Sequence, residues 1–331
     1  MTESVFSKKL FKLCQEGTIP SKYCHILEGF YLDYKEATTS RVDEKTIDQF
    51  FITLLSLVEK QIHSPFHFKN FHKKITSPFD YYQFGIDFLT PLIDKEHSKF
   101  RNASMFKKIE KQLQQKENVI LFSNHQTESD PQAISIMLQP FAPDIASEII
   151  YVAGQRVTQD PFAIPFSLGC NLLSIYSKRY IDNPPSEKRE KQLHNQKTMQ
   201  EMLSLLQKGG QIIYVAPSGG RDRPNENKEI VVADFDPQSI EMFLLMGKKS
   251  KKPTHFYPLS LYTYPLLPPP DKVNEAMGEI RKTHFCSIQM AIDNELDFNS
   301  LNSISDKKEL RVERAKYIQN IVTQNYNKII Q

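Results

Sequence analysis

From Met1 to about Ile75, apolar residues recur at three- and four-residue intervals, as in Phe6, Leu10 and Leu13, and again in Phe51, Leu54, Leu55 and Val58. That period gathers them on one helical face. Gly17 to Pro20 and Ser64-Pro65 interrupt it. The pattern therefore predicts a small helical bundle over residues 1–75. From about Ser77 the rhythm changes. Short runs rich in β-branched residues predict strands at Val119–Phe122, Ile149–Val152, Leu172–Tyr176, Gln211–Ala216, Phe256–Tyr262 and Phe285–Ile292. Helical periods lie between them. Pro131 to Leu138 is one, and Ser186 to Gln207 is a longer one with Leu193, Met199, Met202, Leu203 and Leu206 on its apolar side. Glu309 to Ile330 closes the chain as a helix. Strands separated by helices predict an α/β domain over residues 76–331, with a largely parallel central sheet flanked by helices.

Composition narrows the classes. Hydrophobic residues make up 40% and charged residues 24% of 331, an ordinary globular balance. A formal charge of +3 is too small for a typical nucleic-acid binder, so nucleic acid is not an expected partner. The cysteines, Cys14, Cys24, Cys170 and Cys286, are scattered without a CxxC pair. They read as free thiols in a reducing compartment, with neither a disulfide framework nor a zinc site. His63, His67 and His72 lack carboxylate or thiol companions at ligand spacing and read as packed or solvated. No secretory signal or spanning segment is expected, which leaves at most peripheral membrane contact and a cytoplasmic setting.

Candidate chemistry begins where the first buried strand ends. Ser123, Asn124 and His125 follow it directly, and a helix opens near Pro131 with Asp130 as its expected cap. Sites in open α/β sheets form on the loops at strand carboxyl ends. The His-x4-Asp spacing lets the Asp130 carboxylate meet one ring nitrogen of His125, leaving the other to take a proton. A helix cap beside an ordinary loop histidine is the alternative reading. Two basic pairs share the expected edge. Lys178 and Arg179 follow one strand; Arg221 and Arg223 follow another, after Pro217-Ser218-Gly219-Gly220. Arginines on two loops can grip a phosphate from two sides. Ser218 lacks the Gly-x-Ser-x-Gly elbow of a hydrolase nucleophile. The run Lys248-Lys249-Ser250-Lys251-Lys252 reads as a solvated loop, with carrier-protein docking as its alternative.

These residues resemble the soluble, plastid-type glycerol-3-phosphate acyltransferases of plants and chlamydia-like bacteria. The resemblance rests on Ser123-Asn124-His125-Gln126-Thr127-Glu128-Ser129-Asp130-Pro131, where the family usually has Ala in place of Ser129. Further matches are Val152-Ala153-Gly154 with Arg156-Val157, Tyr176-Ser177-Lys178, and Ala216 through Pro224. Phe79 through Tyr82 with Phe84-Gly85, and Pro91 through Asp94, extend it, so that it runs from about Pro78 to Pro270. It implies that His125 and Asp130 are catalytic and that Arg221 and Arg223 bind phosphate. The family's remaining basic pair, Lys-His, falls on Arg179 and Tyr180, so only Arg179 keeps its charge; Lys178 stands one step outside. The resemblance also implies a small helical domain in front of the α/β domain, and acyl-acyl carrier protein as the usual donor.

The expected reaction is transfer of a fatty-acyl group from acyl-acyl carrier protein or acyl-CoA to the 1-hydroxyl of glycerol 3-phosphate. His125 acts as base, Asp130 supports it, and Arg221, Arg223, Arg179 and Lys178 hold the phosphate. No metal or cofactor is needed. The rival readings are a lysophosphatidate-type acyltransferase and a non-catalytic anion-binding module. Bacterial cytosol is the expected compartment, and plastid stroma is also compatible.

Overall fold

The computed structural model describes residues 4–270, 278–301 and 303–331, apart from the side chain of Arg179. Its organising element is a strand over Asn118–Ser123, buried along its whole length. Val119 and Leu121 point into one core, Ile120 and Phe122 into a second. A strand apolar on both faces needs cover on both, which an α/β arrangement supplies. In chain order the strands are β1 (Phe71–His72), β2 (Lys99–Arg101), β3 (Asn118–Ser123), β4 (Ile150–Gly154), β5 (Asn171–Ile175), β6 (Ile212–Val215), β7 (Arg223–Pro224), β8 (Ile230–Val231), β9 (Thr254–Tyr262) and β10 (Gln289–Ile292). The main sheet has the order β1-β5-β4-β6-β3-β9-β10-β2, and β7 pairs with β8 apart from it. From β5 through β9 every neighbouring pair is parallel. The carboxyl ends of those five strands therefore share one edge.

The helices are α1 (Val5–Gln15), α2 (Ser21–Thr38), α3 (Glu44–His63), α4 (Tyr81–Leu89), α5 (Phe106–Gln114), α6 (Asp130–Leu138), α7 (Pro143–Ala146), α8 (Arg156–Gln159), α9 (Ile164–Ser167), α10 (Lys178–Ile181), α11 (Lys188–Lys208), α12 (Pro237–Lys249) and α13 (Lys307–Ile329). One face of the sheet packs on α11, α12 and α13 through Met202, Leu206, Phe243, Ile318 and Val322. The other shares a continuous core with the N-terminal helices. Phe88 of α4 stands at the junction, its ring 4.8–5.8 Å from those of Phe30, Tyr34, Phe51 and Phe166.

Several expectations need correction. Phe71 and His72 fall in the span read as helical, yet they form an edge strand antiparallel to β5. Cys14 and Cys24 are joined by a disulfide with a Cα–Cα distance of 6.2 Å. The reason is local: the α1–α2 turn, with Gly17 at φ +69°, folds the last turn of α1 back onto the first turn of α2. Cysteine usage therefore gives no argument for a reducing compartment. Cys170 and Cys286 are free, and burial pushes both thiols up to about 12. Leu193, expected on the apolar side, is 48% exposed, whereas Lys191, two residues earlier, is buried. Its ammonium donates to the carbonyls of Tyr180 and Asn183, which explains how a lysine can turn inward. The run from Phe285 is extended only in part: Cys286 makes an isolated bridge to Ile93 before β10 begins at Gln289.

Candidate active site

The loop after β3 is built by side chains that turn inward. Asn124, fully buried, bonds both backbone groups of Leu261 on β9: its Nδ2 donates to the carbonyl at 2.9 Å and its Oδ1 accepts from the N–H at 2.8 Å. Gln126 Oε1 accepts from the N–H groups of Thr263 and Tyr264. Between these two buried amides His125 must face the other way, and its side chain keeps 31% exposure.

Asp130 sits under the ring. Its Oδ2 lies 2.7 Å from His125 Nδ1 and accepts from the Gln126 N–H at 2.9 Å. Its Oδ1 accepts from the Thr263 hydroxyl at 2.6 Å and the Thr127 N–H at 3.3 Å. Asp130 is only 1% exposed. The expected cap position is corrected: Ser129 stands at the N-cap and Asp130 is already within α6. Its carboxylate does not cap the helix it begins; it reaches back to the preceding loop and to His125. With donors on every side the carboxylate accepts, so His125 Nδ1 is the nitrogen that donates to it, and Nε2 is left to exchange a proton with a substrate.

The loop after β6 is tied to the same place by a residue that sequence spacing did not single out. Asp222, between the two arginines, is fully buried. It accepts from Asn124 Nδ2 at 2.8 Å, Gln126 Nε2 at 3.1 Å and the Ala233 N–H at 2.9 Å. Its own N–H donates to the His125 carbonyl at 2.6 Å. Desolvation raises its pKa above the ordinary carboxylate value, against the lowering effect of those hydrogen bonds. Gly219 turns this loop at φ +64°, a conformation disfavoured for other residues. Ser218 donates to the Gly220 carbonyl within the same turn.

Arg221 and Arg223 thus reach the His125 edge on a loop clamped by Asp222. Arg221 Nη2 donates to both oxygens of Glu279 at 2.9 Å, and Arg223 Nη1 donates to the Pro270 carbonyl at 2.8 Å. Lys178, after β5, bonds Asp236 and Gln238 at 2.8 Å each, at the start of α12. Arg179 follows it in α10, and its side chain lies outside the described residues. Spacing also missed a group of charges around these loops. Arg156, after β4, lies 3.1 Å from Glu279, and buried Arg281 is paired with Glu128 and Asp160. Their partners are remote in sequence, so no local motif marks them. Lys248 to Lys252 lies before the amino end of β9, at the opposite edge from His125. No group of metal-ligating side chains occurs among the described residues.

The profile of the acyltransferase family matches residues 105–262, which include both loops. A chloroplastic glycerol-3-phosphate acyltransferase of Arabidopsis thaliana is 36% identical over 297 residues, 88% of this chain and 64% of that protein. The Phaseolus vulgaris protein of the same name is 35% identical over 321 residues, 96% of this chain and 70% of its own length. The chain thus spans 64% and 70% of the two relatives. A 1-acyl-sn-glycerophosphate acyltransferase structure from Thermotoga maritima aligns with a TM-score of 0.40 at 17% identity, over 75% of this chain and 78% of that one.

Proposed function

This chain belongs to the glycerol-3-phosphate acyltransferase family, and from that premise we propose that it transfers a fatty-acyl group from a thioester to the 1-hydroxyl of glycerol 3-phosphate. The product is a lysophosphatidate. The observation that carries this reading is the His125–Asp130 pair: one ring nitrogen held at 2.7 Å by a buried carboxylate, on a loop bonded to the one that carries two arginines.

In this mechanism Arg221 and Arg223 bind the phosphate, with Arg179 completing the grip. Lys178, on the neighbouring loop after β5, is tied to Asp236 and Gln238 and stands outside that grip. Holding the phosphate sets the 1-hydroxyl beside His125 and makes the encounter effectively unimolecular. Nε2 removes the hydroxyl proton while the oxygen attacks the thioester carbonyl. Asp130 stabilises the imidazolium that forms. The tetrahedral intermediate then expels the thiolate, which takes the proton back from Nε2. The donor in this reading is acyl-acyl carrier protein or acyl-CoA, and the compartment is an aqueous one, bacterial cytosol or plastid stroma. No helix among the described residues is long and apolar enough to cross a membrane.

An acceptor comparison tests the assignment. Purified protein with a palmitoyl thioester should acylate glycerol 3-phosphate and leave lysophosphatidate unreacted. Preference for lysophosphatidate would make the rival acyltransferase reading correct, and acylation of neither would favour a binding module.

A further inference from the structure

We infer that the segment Gly278–Arg281 positions both halves of the active site, Arg281 acting on the His125 loop through Glu128 and Glu279 acting on Arg221. The inference rests on the proposed roles of His125 and Arg221. Exposure alternates along the segment. Ile280 is 66% exposed, while Glu279 and Arg281 on either side are 7% and 5% exposed. Two ionisable side chains of this short segment therefore face inward. The segment is pinned at its start, where the Gly278 N–H donates to Asp160 Oδ2 at 3.1 Å with the glycine at φ +86°.

Arg281 is satisfied from three sides. Its Nε and Nη2 form a fork on the two oxygens of Glu128, Nη2 also lies 3.5 Å from Asp160, and Nη1 donates to the Glu279 carbonyl at 3.1 Å. Its guanidinium stands 5.2 Å from the Phe162 ring centroid. Burial works to lower its pKa, but the carboxylates of Glu128 and Asp160 overcome this and hold it above the ordinary value. Glu128 lies between His125 and Asp130 in the chain. A bidentate fork fixes direction as well as distance, so it sets the loop that carries both residues.

Glu279 acts two residues earlier. Its carboxylate takes Arg221 Nη2 at 2.9 Å on both oxygens and Arg156 Nη1 at 3.1 Å. Arg221 contributes only Nη2 to this contact, so Nε and Nη1 remain to meet a phosphate oxygen. The carboxylate orients the guanidinium without covering all of it. One short segment thus sets the base loop and the phosphate loop relative to each other.

The test uses steady-state kinetics on the full chain, with palmitoyl-CoA as donor, and a thermal melt for each variant. Arg281→Gln and Glu128→Gln should each lower kcat roughly tenfold to a hundredfold, the effect of a small misplacement at a reacting centre, with KM for glycerol 3-phosphate little moved. Glu279→Gln should raise that KM roughly tenfold and leave KM for the donor little moved. The Glu128→Gln/Arg281→Gln double variant should be no slower than the slower single one, because the two act as a unit. If Arg281→Gln does not fold, Glu128→Gln, which keeps the shape of its side chain, carries the same test. A kcat for Glu128→Gln within about twofold of the parent overturns the inference. So does an unchanged or lower KM in Glu279→Gln; the lower value would make Glu279 a competitor for the phosphate. His125→Ala and Arg221→Ala run alongside. If these keep normal turnover and normal substrate affinity, the underlying assignment has failed and not the positioning role alone.

Discussion

Asp130 carries more contacts than a helix cap requires. It accepts from His125, the Gln126 and Thr127 N–H groups and the Thr263 hydroxyl. An amide offers one acceptor and must turn its NH2 toward a donor. Asp130→Asn should therefore still fold but lower kcat roughly a hundredfold or more, because it cannot support an imidazolium. Full activity at an unchanged melting temperature would reduce Asp130 to a structural residue. Asp222 answers to pH. Burial raises its pKa, so the stability linked to its protonated form is present below its unfolded pKa and is lost as pH rises through the folded one. Asp222→Asn cannot titrate. Chemical denaturation from acid to neutral pH should show the difference between the two proteins moving in favour of Asn as pH rises. A constant difference would contradict the assigned shift. His125 and Asp130 were legible because their spacing is local. Asp222 and Arg281 were not, since they act on Asn124 and Glu128 across 98 and 153 residues of chain.

At the scale of elements, the β6–β7 connection is a clamped turn that carries Arg221, with Arg223 directly after it at the start of β7. Arg221→Ala and Arg223→Ala should each weaken glycerol 3-phosphate binding roughly tenfold to a hundredfold, the loss of one charge-assisted bond to a partly buried phosphate. KM for the acyl donor should move much less. Normal glycerol 3-phosphate affinity with lost affinity for the carrier protein would make this loop a docking surface. The α1–α2 hairpin is the other element with a direct test. Closing a short loop by the Cys14–Cys24 disulfide should contribute about 2–3 kcal/mol. Reduction should lower the melting temperature, and an unchanged melt would show the link to be energetically idle. Strands β3 to β6 and β9 lie close to where apolar runs placed them, because parallel strands buried on both faces are written as short, largely apolar runs. The edge strand β1 left no such run, and its pairing with β5 comes from the tertiary fold. The disulfide was hidden for a similar reason: cysteine spacing does not report a helix reversal.

At the scale of the molecule, a parallel sheet gathers loops from β3, β4, β5, β6 and β9 onto one edge. That edge holds His125, Arg156, Lys178, Arg221 and Thr263, drawn from much of the chain. The lysine run, read as a solvated loop, lies at the other edge, and its first two lysines, Lys248 and Lys249, belong to the last turn of α12, where cations face carbonyl groups. The sheet order explains why residues distant in sequence converge, and why a fold expectation drawn from alternating elements could place the loops without naming their partners. The proposed reaction turns on His125 as the base acting on glycerol 3-phosphate. The most direct measurement compares wild type and His125→Ala for both acyl transfer to glycerol 3-phosphate and equilibrium binding of it. The account predicts a fall in kcat of about a hundredfold to ten-thousandfold with binding nearly retained. Turnover near the wild-type rate in the His125→Ala protein would contradict it.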